Sequence, residues 1–556
     1  MTAFVTSFRQ QPLWWSLIPI SIIWIMGMNL PVMEIDAAQY ASIAAEMHDN
    51  RSFLQVFFNG SDYLDKPPLL FWLSAWSFDL FGIHNWSYRL PSMLSMILGL
   101  WSIYHLSLKL IPEKRTAQLA TIVYATLQST FLFMHDIRTD TLLAHLVVFT
   151  IWQGVVYLDD KKWLPLIGFA SGAGLAMLTK GPIGIMVPAI ALLAHTWWTH
   201  QWKVFLNPKT WLIPLIVFLW LVPMLYGLYH QFDLHPEKTV LNRQGVSGIY
   251  FYFWEQSFGR ITGASSWQDN TGPDYFFLNS LWSLLPWTIL FWIALVWEFI
   301  LMFRLRTQEN RSGTAFSVLA LGILIPFIAF SFAHYKLPHY LFVVSPLQAL
   351  LIGAWMNTEK GRTPSLPVLV PQALIVLILI LGIGATVWVF PVMWWKWIIL
   401  VLFAGGLVYI IRRSRELARI WQWSIAAIIS LNFWLNLHFY PELMHYQLTS
   451  QAISYMKSEN IPISTTAFLG VSKFGLYFFA GQKVAYTEHW DPALLQFKYV
   501  LATDKGLQEM DRNSMRYSIL NIFKGFPVTR LNAKFLNPKT RNTQYNFAYL
   551  VALNQK

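Results

Sequence analysis

Apolar runs of about twenty residues, separated by short polar connections, recur along most of this chain. Such a run, at 1.5 Å per helical residue, is what an α-helix needs to cross the hydrocarbon core of a bilayer. The first, from Pro12 to Pro31, follows Arg9 and lacks a small-residue cleavage pattern, so it predicts a retained helix and not a removed signal. The pattern predicts further spans over 88–111, 115–134, 141–158, 163–179, 182–199, 211–230, 275–303, 314–333, 338–356, 367–390, 394–411 and 419–439, about thirteen in all. From about residue 441 the pattern changes. Short apolar runs such as Thr466–Val471, Tyr499–Thr503 and Ala548–Leu553 alternate with charged turns, which predicts a small α/β domain. The expected organisation is an all-α polytopic membrane domain over 1–440, with long connections at 31–87 and 231–274, followed by an extramembrane α/β domain over 441–556. No internal repeat and no low-complexity segment interrupts it.

Composition agrees, because only 12% of the residues are charged and 55% are hydrophobic, whereas a soluble domain carries about a quarter charged. The net charge of +12 would fit nucleic acid, but the basic residues are divided among short loops between apolar spans, and nucleic-acid binding is discounted. Cysteine is absent, which removes disulfides and thiolate metal sites. Lys114, Arg115, Lys161, Lys162, Lys203, Lys209, Arg304, Arg306, Arg311, Lys360, Arg362, Arg412, Arg413, Arg415 and Arg419 fall in one alternating set of loops, which the positive-inside rule makes cytoplasmic. Both long connections and the C-terminal domain then lie outside.

Acidic and basic residues gather at that outer face, where ionisable groups beside a bilayer point to function. Asp36 follows the first helix. Asp65 and Lys66 open an apolar stretch better placed in the membrane interface than across it. Asp136, Arg138 and Asp140 separate two spans, Lys180 precedes Gly181 and Pro182, and Lys336, His339 and Tyr340 open a later span. Each also has a structural explanation. Asp36 with Gln39, and Asp140, could cap helices; Lys180 could satisfy terminal carbonyls; Asp65 and Lys66 could pair in a solvated loop. The argument for function is that connections far apart in sequence place them on one side. Most of the 29 tryptophans and 41 phenylalanines suit membrane cores and interfaces, with Trp254, Trp267 and Trp287 the candidates for stacking on a sugar ring.

In order along the chain, Asp36-Ala-Ala-Gln-Tyr40, Asp65-Lys-Pro-Pro68, Tyr88-Arg-Leu-Pro91, Arg138-Thr-Asp140, Thr179-Lys-Gly-Pro182, Trp254-Glu-Gln-Ser-Phe-Gly-Arg260 and Tyr335-Lys-Leu-Pro338 resemble the landmarks of the GT-C glycosyltransferases. The resemblance is to the aminoarabinose (lipid A) transferase and protein O-mannosyltransferase-like group, over about residues 10–355. It implies an enzyme of the bacterial inner membrane, its active site facing the periplasm, that moves a sugar from a polyprenyl-phosphate donor to lipid A or to a secreted protein, with inversion. Attack at the anomeric carbon expels a polyprenyl phosphate, whose growing charge needs fixed cations or a metal. Lys66, Lys180, Lys336 and Arg260 are the expected phosphate-binding cations, with Arg243 a further candidate, and Tyr340 matches the family's tyrosine near the donor phosphate. A hydroxyl acceptor needs a carboxylate base, for which Asp36 is the first choice and Asp140 the second.

The resemblance also implies a divalent metal held at Asp65 and a neighbouring histidine. Gln256 occupies the histidine's place, which makes Glu255 the alternative oxygen ligand. Ala37-Ala38-Gln39 departs from relatives that carry a glutamate and an arginine there. His339 has no counterpart role and reads as an interfacial polar residue. The competing class is a lipid or sugar transporter, which would place charges near the midplane and carry inverted repeats, neither of which the sequence shows.

Overall fold

The computed structural model describes residues 12–256, 259, 271–305, 317–412 and 417–554. Among them six helices are both long and apolar enough to cross a membrane: Asn85–Leu110, Thr139–Asp160, Pro208–Asp233, Tyr340–Asn357, Leu366–Val389 and Trp394–Arg412. Shorter apolar helices, including Leu13–Met28, Ile183–Trp198, Thr288–Leu301 and Val318–Ser331, pack with them, so length and composition alone do not reach the expected thirteen crossings. The span expected over 275–303 is two helices, Tyr275–Ser283 and Thr288–Leu305, because Pro286 lacks the N–H that would continue the ladder.

Thr139–Asp160 and Ser345–Asn357 lie at the centre and are buried on nearly all sides. Small residues allow the close approach this needs. A Cβ on Gly353 would meet the backbone nitrogen of Ala120 at 2.5 Å. Leu366–Val389 and Trp394–Arg412 instead turn side chains such as Leu374, Ile378, Leu381, Val401 and Leu402 outward, as lipid-facing helices do. The buried Gln372 amide on Leu366–Val389 directs its N–H groups inward, donating to the Pro286 carbonyl at 2.9 Å and to Ser424 Oγ at 2.8 Å.

The helix Asp36–Asn50 and the helix Leu69–Phe81 pack on each other, the second through buried Phe71 and Phe78 while Trp76 and Leu80 stay exposed, as the interfacial reading expects. At the C-terminal end a five-stranded mixed sheet runs in the order 485–487, 466–469, 499–503, 546–553, 517–525, the first three strands parallel and the last two joined antiparallel. Both faces of this sheet carry apolar clusters, one around Phe468, Leu501 and Leu550 and the other around Leu469, Val500 and Val551. This layer sits directly on Asp36–Asn50. Ser42 Oγ donates to the Phe474 carbonyl at 3.0 Å, the Tyr477 hydroxyl donates to Asp49 at 2.9 Å, and Gln447 exchanges hydrogen bonds with the backbone of Glu34 and Val32.

Candidate active site

Arg89 sets the frame of the site. Its buried guanidinium donates to the carbonyls of Met28, Leu30 and Pro31, just past the first helix, and to the carbonyl of His135. Those are groups that a helix end and a tight connection leave without partners. One arginine therefore ties the segment entering Asp36 to the segment that carries Asp136, Arg138 and Asp140.

Arg138 then links them chemically. Its Nη1 lies 2.5 Å from Asp36 Oδ2, its Nε 3.0 Å from Asp136 Oδ2, and Nη1 also reaches His339 Nδ1 at 3.1 Å. On the far side of His339, Nε2 stands 3.6 Å from Asp140 Oδ2, while Asp140 Oδ1 is 2.5 Å from Lys180 Nζ. Lys180 lies over the ring of Tyr340 at 4.3 Å. The row Asp36, Arg138, His339, Asp140, Lys180, Tyr340 thus draws on residues 36, 138–140, 180 and 339–340, far apart in sequence. The capping explanations are not what the structure shows: neither helix N-terminus has a side-chain cap, and both carboxylates turn to cations instead.

Exposure divides the three carboxylates. The side chain of Asp36 is 33% exposed, against 6% for Asp136 and 2% for Asp140. Burial pushes the Asp136 carboxyl up from its ordinary range, opposed by Arg138 beside it. Arg138 is held firmly in its charged form by Asp136 and Asp36, against the opposing effect of its own burial. Tyr40, one turn along from Asp36, is pushed upward by burial and by the nearby carboxylates of Asp36 and Asp65.

Lys66 pairs with Asp65 at 2.8 Å, yet its side chain is only 10% exposed, so this is no solvated loop pair. It borders a mainly apolar cleft with Tyr63, Pro67, Met224, Leu228 and Tyr252. Lys336 is buried and donates to the Thr271 carbonyl at 2.8 Å. Arg243 is turned to Glu255 at 2.6 Å, half exposed, and Arg260 and Trp267 lie outside the described residues. Trp287 cannot stack on a sugar: it is fully buried, with its indole N–H on Thr126 Oγ1. Trp254 remains open to solvent.

The pair Asp65 and Glu255 does not fit a metal. The Glu255 carboxylate is held by Arg243, and the Gln256 amide nitrogen is committed to the main-chain carbonyl of Asp65. Among the described residues no three His, Asp or Glu side chains cluster closely enough to hold an ion.

Comparison with known proteins follows the same lines. Residues 65–226 match the family model of dolichyl-phosphate-mannose-protein mannosyltransferases. The crystal structure of ArnT from Cupriavidus metallidurans bound to undecaprenyl phosphate superposes at a TM-score of 0.70, with 16% identity, over 99% of this chain and 98% of that one. The chain has the GT-C fold. The undecaprenyl phosphate-alpha-4-amino-4-deoxy-L-arabinose arabinosyl transferase of Erwinia tasmaniensis is 26% identical over 330 residues, which is 57% of this chain and 54% of that protein. One from Pseudomonas fluorescens is 24% identical over 364 residues, 63% of this chain and 59% of that protein. The chain matches little more than half the length of these curated relatives.

Within this GT-C fold, sequence reasoning missed Arg138 and His339 as members of the site. Arg138 carried a signal, standing between two aspartates in a connection at the acidic face. His339 carried none, since only the fold sets it between Arg138 and Asp140.

Proposed function

We propose that this protein is a glycosyltransferase of the bacterial inner membrane that moves a sugar from undecaprenyl phosphate to lipid A, with its active site facing the periplasm. The observation that carries this reading is the linked row from Asp36 to Tyr340, assembled at one face of a fold shared over its whole length with a protein that binds undecaprenyl phosphate. A donor tethered to a prenyl chain also suits a site at a membrane face where nucleotide sugars are not supplied.

Asp36, the most exposed carboxylate of the row, faces the acceptor, and Arg138 holds it in place. Asp140 is too enclosed to take the acceptor's proton and instead holds Lys180 over Tyr340. The departing phosphate falls to Lys66, at the edge of its apolar cleft, together with Lys336, Lys180 and Tyr340, whose fixed charges and dipoles act where charge develops. Displacement in one step inverts the anomeric centre. Residues 441–556 act as a separate external unit that braces the helix carrying Asp36. No step is assigned to a metal.

The second reading, transfer to serine or threonine of a secreted protein, is favoured by the mannosyltransferase family match over 65–226. The two readings differ in what Asp36 must do. A lipid A phosphate is already anionic, whereas a hydroxyl needs a base, worth about 10²–10⁴ in rate. The test is purified protein with undecaprenyl-phosphate-linked [¹⁴C]aminoarabinose and either lipid A or a secreted-protein fraction. Label on lipid A is expected, with Asp36→Asn slowed by about tenfold or less. Label on polypeptide, with a loss beyond about 100-fold, establishes the second reading. A donor left intact with both acceptors overturns transfer altogether.

A further inference from the structure

His339 touches both side-chain groups of the site, whose carriers Arg138 and Asp140 stand two residues apart at the start of one helix. Arg138 with Asp36 and Asp136 forms one half, and Asp140 with Lys180 forms the other; among the described contacts the imidazole bridges them, with Nδ1 at 3.1 Å from Arg138 Nη1 and Nε2 at 3.6 Å from Asp140 Oδ2. A guanidinium can only donate, so the nitrogen it meets must accept. That requirement decides the tautomer. Nδ1 carries the lone pair, and in the neutral ring the proton then resides on Nε2, directed at Asp140. At 3.6 Å this last contact is longer than a hydrogen bond, and a shift of about 0.5 Å closes it. The ring is held edge-on by Phe133 and Tyr340, with centroid separations of 6.5 and 5.2 Å, and the residue is 6% exposed.

We infer that His339 is a positioning residue which, as the neutral Nε2–H tautomer, accepts from Arg138 and donates toward Asp140, so that the acceptor side and the phosphate side of the site keep one mutual geometry. The inference rests on the transferase reading above for its kinetic consequence, but not for the tautomer itself. The physical requirement is that Nδ1 stays unprotonated. A second proton there sets a donor against a donor at Arg138, which then swings from Asp36. Among the described residues, Arg138 and Asp140 are charged groups that face the ring; Asp36 and Asp136 stand behind the first, and Lys180 behind the second. Lys336, three residues earlier on the same connection, points to the Thr271 carbonyl.

Two substitutions separate positioning from packing. His339→Phe keeps a ring against Phe133 and Tyr340 but offers neither nitrogen. His339→Gln offers one acceptor and one donor at the end of a flexible chain. With undecaprenyl-phosphate-linked aminoarabinose as donor and lipid A as acceptor, H339F is expected to lose about 100-fold in kcat, the scale on which a misplaced catalytic group costs rate, with a smaller change in KM for the donor. H339Q is expected to recover most of that loss. H339F matching the parent in kcat overturns the inference. Independently of turnover, ¹⁵N resonances of the histidine rings, with that of His339 identified by its loss in H339Q, should show the Nε2–H tautomer at pH 7.5. An Nδ1–H pattern overturns the proposal even in a protein that transfers no sugar, whereas absent turnover with the expected tautomer counts against the transferase reading alone.

Discussion

Replacing Arg138 by methionine keeps most of the side-chain stem and removes a cation that touches both Asp36 and Asp136. Asp36 is a third exposed and can fall back on water, but the Asp136 side chain is 6% exposed and cannot. Removing one partner of a buried pair costs about 3–5 kcal/mol, because the other charge is left uncompensated. The pH dependence follows from burial, which already lifts the Asp136 carboxyl above its ordinary value of 3.8 while Arg138 pulls it down. Without Arg138 the folded-state value rises further. A carboxyl raised in the folded state contributes stability that is fully present below the unfolded value, near 4, and is lost as pH climbs through the folded one. The R138M deficit should therefore be small near pH 4 and grow toward neutrality. Unfolding titrations in mixed micelles at pH 4.5, 6 and 7.5 measure it. Adding Asp136→Asn should restore most of the stability and flatten the pH dependence without restoring transfer. A deficit under about 1 kcal/mol at pH 7.5, or no recovery on adding D136N, would refute the assignment of Asp136 as a buried charge neutralised by Arg138.

Other consequences can be measured with the same preparations. Lys180→Met should destabilise by about 3–5 kcal/mol, since Asp140 is 2% exposed and loses its cation, and the double variant K180M/D140N should be more stable than K180M alone. Gly353→Ala should cost about 1–3 kcal/mol, read as a lower unfolding midpoint, because its new methyl would meet the Ala120 backbone at 2.5 Å. Burial raises the Glu34 carboxyl to about 6, which destabilises the fold as pH rises from about 4.5 through 6; Glu34→Gln should remove that slope from the unfolding midpoint. Trp287→Phe should lower stability through the lost hydrogen bond to Thr126, by about 1 kcal/mol, and leave sugar transfer unchanged, because the indole is sealed in the core.

The sequence by itself determined that most of the chain is apolar helix followed by a small α/β layer, because hydrophobic length is a local property that a bilayer reads directly. What it could not determine was partnership. Asp36 followed by Gln39 has the pattern of a helix cap, and Lys180 before Gly181 and Pro182 has that of a helix end. Only packing shows that Asp36 belongs to Arg138 and Lys180 to Asp140. The same holds for Glu255, whose position beside Gln256 implied a metal ligand until Arg243 was seen to hold it. The break at Pro286 and the burial of Trp287 were hidden in a run whose hydropathy reads as one continuous span. His339 shows the limit most clearly. Its neighbours in sequence are Pro338 and Tyr340, its neighbours in charge are Arg138 and Asp140, and no periodicity connects residues some two hundred positions apart. Local physics sets where a helix lies relative to the bilayer, whereas the direction in which a side chain discharges its polarity depends on which other helices the whole chain has brought beside it.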